Sequence, residues 1–94
     1  MEHADFVAAL RQLAAAAEML ATNGPENMRE DAFECHAFFR RFEQPGVGIE
    51  RGNATSDDAL FVQTAHAALT MAGRNEYAAS RALLQQAQSL LLTP

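Results

Sequence analysis

Apolar residues recur with a helical period in the first segment of this chain. Large hydrophobic residues and alanines fall at steps of three and four, which places them on one face of a helix. The residues of this stripe are Phe6, Leu10, Leu13, Ala17 and Leu20. Asn23-Gly24 is a helix stop signal, and Pro25 favours the first turn of a new helix. The pattern predicts a helix over residues 4–22.

The second segment repeats the same spacing and then loses it. Its apolar stripe comprises Met28, Ala32, Cys35, Phe39 and Phe42, widened by Phe38. Pro45-Gly46 ends the pattern, so we expect a helix from Pro25 to about Glu43. Residues 45–55 contain three glycines and no clear period, which predicts a loop.

Two further helices are predicted in the second half of the chain. Ser56-Asp57-Asp58 is a helix start signal, because a capping oxygen is followed by acidic residues at the positive end of the helix dipole. The third helix runs to about Ala72 and is apolar or small around nearly its whole circumference. We therefore expect it to be the most buried helix. Gly73-Arg74-Asn75 forms a turn, and a fourth amphipathic helix covers residues 75–91.

These elements predict an all-α fold in one domain covering residues 1–94. Short connections favour antiparallel neighbours, so we expect two antiparallel helical hairpins packed as a small four-helix unit. The first hairpin spans residues 4–44, the loop residues 45–55 and the second hairpin residues 56–92. A chain of 94 residues has a thin core, which self-association would reinforce.

Composition argues against several classes of partner. The formal net charge is −5, and the seven basic residues are scattered arginines, whereas nucleic-acid binding needs concentrated positive charge. No apolar run approaches the roughly 20 residues of a membrane span. A single cysteine and an acidic first segment are typical of a cytoplasmic protein.

The residues that could perform chemistry lack the spacing that chemistry requires. His3, His36 and His66 form no metal-binding pair on a helix, and Cys35 alone cannot build a zinc site. Cys35 lies on the apolar stripe, as a small core residue does. We therefore expect no catalytic residue, no metal and no cofactor, and the chain is interpreted as a non-enzyme.

The second helix carries the most informative departure from a simple amphipathic pattern. Phe33 lies opposite the stripe that contains Phe39, so one core cannot bury both. Arg29, His36 and Arg40 follow the same side of the helix as Phe33. An aromatic residue beside arginines is typical of a protein-binding surface. These residues are predicted to contact a partner.

The fourth helix supplies one further candidate for that contact, Tyr77. A tyrosine can bury apolar area while its hydroxyl reaches a hydrogen-bond partner.

The second hairpin, residues 59–94, resembles a tetratricopeptide unit. That family pairs two antiparallel helices that cross at small residues, with a glycine at the turn and a proline beyond the end. The matching residues are Ala65, Leu69, Gly73, Tyr77, Leu84, Ala87 and Pro94. Tyr77 stands two residues further from the glycine than the family pattern has it. The resemblance implies a role in binding a protein segment, as an adaptor or small helical chaperone does.

Two other functions remain open. The run Ala65-His66-Ala67-Ala68-Leu69 resembles histidine phosphotransfer domains, in which a mid-helix histidine accepts a phosphoryl group. That family has a lysine three residues after the histidine, where this chain has Leu69. Under this alternative His66 is the phospho-acceptor. The other alternative is a structural homo-oligomer, in which the surface around Phe33 is the interface with a second copy of the chain.

Overall fold

The computed structural model describes residues 1–44 and 57–92, and these form four α-helices without a strand. Helix α1 spans His3–Asn23, α2 spans Glu26–Glu43, α3 spans Asp58–Gly73 and α4 spans Tyr77–Leu92. The prediction of an all-α four-helix unit is therefore confirmed. The loop predicted at 45–55 and the matching residue Pro94 lie outside the described residues.

Local chemistry explains where α3 begins and where α4 follows it. The Asp57 carboxylate accepts a hydrogen bond from the backbone N–H of Leu60 at 3.1 Å, which satisfies one of the free donors of the first turn. At the other end, Gly73 is still helical, and Asn75 adopts the left-handed conformation with φ of 61°. Asparagine tolerates this region better than most residues. The chain therefore changes direction at Asn75, two residues after the glycine.

Helix α1 is the central helix of the fold. It packs against each of the other three helices, and α3 packs in turn on α4. Nine of its residues are buried, compared with five in α3. The expectation that the third helix is the most buried was wrong, because α3 lies on one side of α1 and only its inner half is covered.

The two hairpins are arranged side by side with α1 and α3 pointing the same way. The amino terminus of Met1 contacts the Asp58 carboxylate at 3.0 Å, and the rings of Phe6 and Phe61 stack with centroids 5.9 Å apart. These contacts place the first turns of α1 and α3 next to each other. Both phenylalanines are fully buried, so the junction is part of the hydrophobic core.

The predicted apolar stripe of α2 faces this core. Ala32, Cys35 and Phe39 are buried, while Phe38 and Phe42 are partly buried at the edge. The Phe38 ring lies edge-on to Phe39 at 5.3 Å between centroids and 5.1 Å from the ring of Phe42. With its stripe in the core, the opposite side of α2 is directed to solvent.

Candidate functional site

Phe33 lies on the solvent-facing side of α2. Its side chain is 62% exposed, whereas Phe39 on the same helix is completely buried. They are six positions apart in the sequence, and at about 100° per residue they lie roughly 120° apart around the helix axis. The expectation that one core cannot bury both aromatic residues is confirmed. We refer to Phe33 with Arg29, His36 and Arg40 as the α2 outer face.

Arg29 is anchored at the start of this face. Its Nε donates a hydrogen bond to the backbone carbonyl of Gly24 at 3.0 Å. Gly24 caps the end of α1, so the interaction links α2 to the carbonyl end of the preceding helix, where a positive charge is favourable. The guanidinium keeps its other donors, because only Nε is used in this bond.

His36 and Arg40 lie where α2 meets α1. They line a shallow groove of about 210 Å³ together with Arg11 and Glu18 of α1. The Arg40 side chain is 62% exposed, and its Nε lies 3.5 Å from a carboxylate oxygen of Glu43. The Glu43 side chain is only 14% exposed, so this pair is open to solvent on the arginine side alone.

Acidic residues occupy the other side of Phe33. Glu30 and Glu34 are both exposed and lie one turn apart. Relative to Phe33, helical geometry places them on the opposite flank from Arg29 and His36. The exposed aromatic ring is therefore bordered by a basic row on one side and an acidic row on the other, an arrangement that can fix the orientation of a docked partner.

Tyr77 is part of a different surface. It stands at the start of α4, where its ring is partly buried against the core. Its hydroxyl donates a hydrogen bond to the Asn75 side-chain oxygen at 2.8 Å, within the α3–α4 turn. The structure does not bring Tyr77 into the α2 outer face, whose residues all lie on one helix. Its role in partner binding stays a separate prediction.

His66 is exposed on the outer side of α3. Its neighbours one turn away on that helix are the uncharged Val62, Gln63, Leu69 and Thr70, and the Thr70 hydroxyl donates to the His66 carbonyl at 2.9 Å. The imidazole is accessible, as a phospho-acceptor must be. Helix α3 supplies no cation beside it to stabilise a phosphoryl group.

Cys35 forms part of the core and of a cleft between α2 and α4. It is 7% exposed and lines a cavity of about 180 Å³ with Asp31, Arg81 and Leu84. Burial is the main reason that the pKa of the Cys35 thiol lies above its ordinary value of 9.0. Asp31 adds to the rise, Arg81 opposes it and Glu34 adds to it. The thiol is therefore a poor nucleophile at neutral pH, in agreement with its interpretation as a core residue.

Neither this cleft nor the ion pair beside it was predicted from the sequence. Arg81 of α4 and Asp31 of α2 approach to 2.6 Å, although they are fifty residues apart. In the described residues 1–44 and 57–92, no group of three or more histidine, cysteine, aspartate or glutamate side chains could hold a metal ion. None of the helices in these residues is long and apolar enough to cross a membrane.

Comparisons with known proteins gave no relative. No family model matches the chain, and neither a curated protein nor a solved structure matches it significantly.

Proposed function

We propose that this protein is a non-enzymatic interaction module, an adaptor or small helical chaperone, that holds a segment of a partner protein on the α2 outer face. The observation that carries the proposal is the exposure of Phe33, a large aromatic residue left outside a core that buries Phe6, Phe39 and Phe61 completely. Aromatic residues, phenylalanine among them, and arginine are enriched at protein interfaces relative to the rest of the surface.

The proposed partner is described by the chemistry that would complement this surface. Phe33 requires an apolar pocket or helix face, and covering the part of its ring that is now exposed would contribute about 1–2 kcal/mol. The basic row of Arg29, His36 and Arg40 favours carboxylates on one side of that apolar patch. The row of Glu30 and Glu34 favours basic groups on the other. An amphipathic helix with oppositely charged flanks meets these requirements.

The proposal has three further parts, which concern chemistry, cellular location and a second contact residue. No catalytic step, metal or cofactor is required for holding a protein segment. We expect the protein to act in the cytoplasm, where the single thiol of Cys35 would remain reduced. Tyr77 would make a secondary contact, since its partly buried ring offers less new area than Phe33.

Affinity purification of the tagged protein from its own cells tests the proposal. The wild type and the Phe33→Asp variant are compared, with Leu92→Asp as the matched control, because Leu92 is similarly exposed at 64% but lies on α4. We expect one stoichiometric partner with the wild type and with Leu92→Asp, and its loss with Phe33→Asp. The purified partner should then bind the wild type at least about tenfold more tightly than Phe33→Asp in calorimetry, about 1.4 kcal/mol.

Equal recovery of that partner by wild type and Phe33→Asp, with the variant shown to be folded, would contradict the proposal. Recovery of the protein alone would also contradict it and would direct attention to the phosphotransfer alternative. In that case, exposure to a phosphodonor should produce acid-labile phosphate on the wild type and none on His66→Gln.

A further inference from the structure

The four-helix unit is open between α2 and α4. Both helices pack on α1, but among the described residues they share no extended contact with each other. A cavity of about 180 Å³ lies between them, with Leu20 of α1 in its lining. Pockets that take whole small molecules typically measure about 300–1,000 Å³, so this one suits a single side chain. We refer to it as the α2–α4 cleft.

The inner part of the α2–α4 cleft is apolar, and its rim is polar. Cys35 and Leu84 are buried in its lining, whereas Asp31, Glu34 and Gln85 are exposed at its edge. A side chain that fills the cleft should therefore have an apolar stem and a polar end. Arginine and lysine have this construction.

Carboxylates outnumber cations at the rim of the cleft. Asp31 and Glu34 lie about one turn apart on α2, and Arg81 is the cation that α4 places beside them. The Arg81 guanidinium pairs with Oδ2 of Asp31 at 2.6 Å, and this pair does not use Oδ1. Glu34 takes part in none of the ion pairs between the described residues. One further positive charge would balance the lining, and it can approach both carboxylates together.

Arg81 itself is incompletely bonded. Its Nε is buried and has no hydrogen-bond acceptor in the part of the chain that the structure describes. Buried polar atoms in proteins nearly always have a partner, so this donor is a second sign that the cleft accommodates another group. The Arg81 side chain is 39% exposed, and a small turn would direct Nε toward a main-chain carbonyl of a docked segment.

We infer that the α2–α4 cleft receives an arginine side chain from the partner segment held on the α2 outer face. The inference rests on the proposed function and names one residue that the partner requires. The arginine stem lies along Cys35 and Leu84, and its guanidinium bridges Asp31 and Glu34. Arginine suits this site better than lysine, because its planar fork of donors can bind two neighbouring carboxylates at once.

The cleft lies next to the α2 outer face. Around the axis of α2, Glu34 is about 100° and Asp31 about 160° from Phe33, on the side away from Arg29 and His36. The acidic row therefore leads from the exposed ring to the cleft. A helix docked on Phe33 would direct its basic flank toward the cleft, where an arginine on that flank can enter.

An NMR titration with a blocked single residue tests the cleft without the partner. The probe is N-acetyl-arginine methylamide, and its matched control is N-acetyl-citrulline methylamide, which has a similar shape and no charge. We expect the arginine probe to shift the backbone amide signals of residues 31–35 and 81–88. Its dissociation constant should be on the order of a millimolar, as for other ligands of this size. The citrulline probe should bind at least about tenfold more weakly.

Two charge-matched variants locate the site. Glu34→Gln removes a carboxylate of the cleft, whereas Glu26→Gln makes the same change at an exposed residue of α2 outside it. Both side chains are exposed, so both variants should keep the fold. Glu34→Gln should weaken binding of the arginine probe by roughly tenfold. Glu26→Gln should weaken it by less than about twofold, because solvent and salt screen a distant charge.

Equal binding of the two probes would overturn the inference, as would an arginine probe that binds Glu34→Gln as tightly as the wild type. Signal changes confined to residues outside α2 and α4 would also overturn it. Partner capture by the wild type and by Phe33→Asp judges the proposed function separately. If capture depends on Phe33 and the cleft does not bind the arginine probe, the function stands and this inference fails. If the cleft binds the probe and capture does not depend on Phe33, the proposed function fails and the arginine site stands alone.

Discussion

Arg81 on α4 and Asp31 on α2 form the ion pair that connects the two hairpins across their open side, with 2.6 Å between the guanidinium nitrogen and the carboxylate oxygen. Among the described residues, α2 and α4 share no extended packed interface. The pair therefore lies at the mouth of the cleft that contains Cys35, where it restricts the separation of the two helices.

Replacing Arg81 by Gln should let this cleft open more often and should lower the stability of the fold only slightly. Both side chains are substantially exposed, at 39% and 51%, so the lost stability should be only about 0.5–1 kcal/mol. The Cys35 thiol should react faster with a thiol reagent, because the helices that cover it separate more often. The rate is measured over a range of pH and compared per thiolate, because loss of the Arg81 charge also raises the pKa of the Cys35 thiol. An unchanged rate would show that the pair does not control access to the thiol.

Gly24 and Gly73 provide a matched pair of glycine substitutions. A Cβ at Gly24 would lie 2.5 Å from the Leu20 carbonyl oxygen, which belongs to the backbone and cannot move aside, whereas a Cβ at Gly73 would meet nothing within 4 Å. We expect Gly24→Ala to lower the free energy of unfolding by about 1–3 kcal/mol. Gly73→Ala should raise it by about 0.4–1 kcal/mol, since alanine restricts the unfolded chain. Urea unfolding of both variants measures the difference, and equal effects would contradict this account of the α1–α2 turn.

Cys35 should make the fold less stable at alkaline pH. Burial raises the pKa of the thiol in the folded protein above its ordinary value of 9.0, so on going upward through that value the unfolded chain releases a proton that the folded chain retains. The contribution of the protonated thiol to the free energy of unfolding is therefore complete below the ordinary pKa. It is lost as the pH rises toward the pKa of the thiol in the folded protein. Unfolding curves from pH 7 to 10 should show a steeper decline for the wild type than for Cys35→Ala. Parallel declines would mean that the thiol titrates alike in both states.

Substitution should destabilise the fold strongly at Phe39 and hardly at all at Phe33. Phe39→Ala removes a completely buried ring and should cost about 3–5 kcal/mol. Phe33→Asp replaces an exposed side chain and should change stability by less than about 0.5 kcal/mol. Thermal unfolding followed by circular dichroism distinguishes them. If Phe33→Asp unfolds the domain, Phe33 contributes to the core and the α2 outer face is not a binding surface.

Local signals in the sequence were sufficient to predict the helices. Periodicity, the Asp57 cap and the stop at Gly24 depend on neighbours within a few residues, and the predicted bounds agree with the structure within two residues. The exposure of Phe33 was also predictable, because opposite sides of one helix cannot both face the core. Its role in binding a partner stays a prediction.

Features that depend on how the hairpins pack could not be predicted in this way. The pairing of Arg81 with Asp31 requires knowing which helices are neighbours. The burial of α3 was overestimated, since an uncharged helix was assumed to need cover on every side within one chain. Alanines at Ala9, Ala14, Ala16 and Ala17 let three helices approach α1 closely, which made α1 the centre instead.

The central position of α1 has a consequence for how the protein folds. In a stacked repeat array each unit contacts only its neighbours, and the ends can unravel separately. Here α1 contacts α2, α3 and α4 at once. If one hairpin unfolded, the hydrophobic residues of the other hairpin that pack against it would be exposed to water. Folding should therefore be a single cooperative transition, and the slowest-exchanging amides should belong to α1 and to the parts of α2 and α3 that cover it.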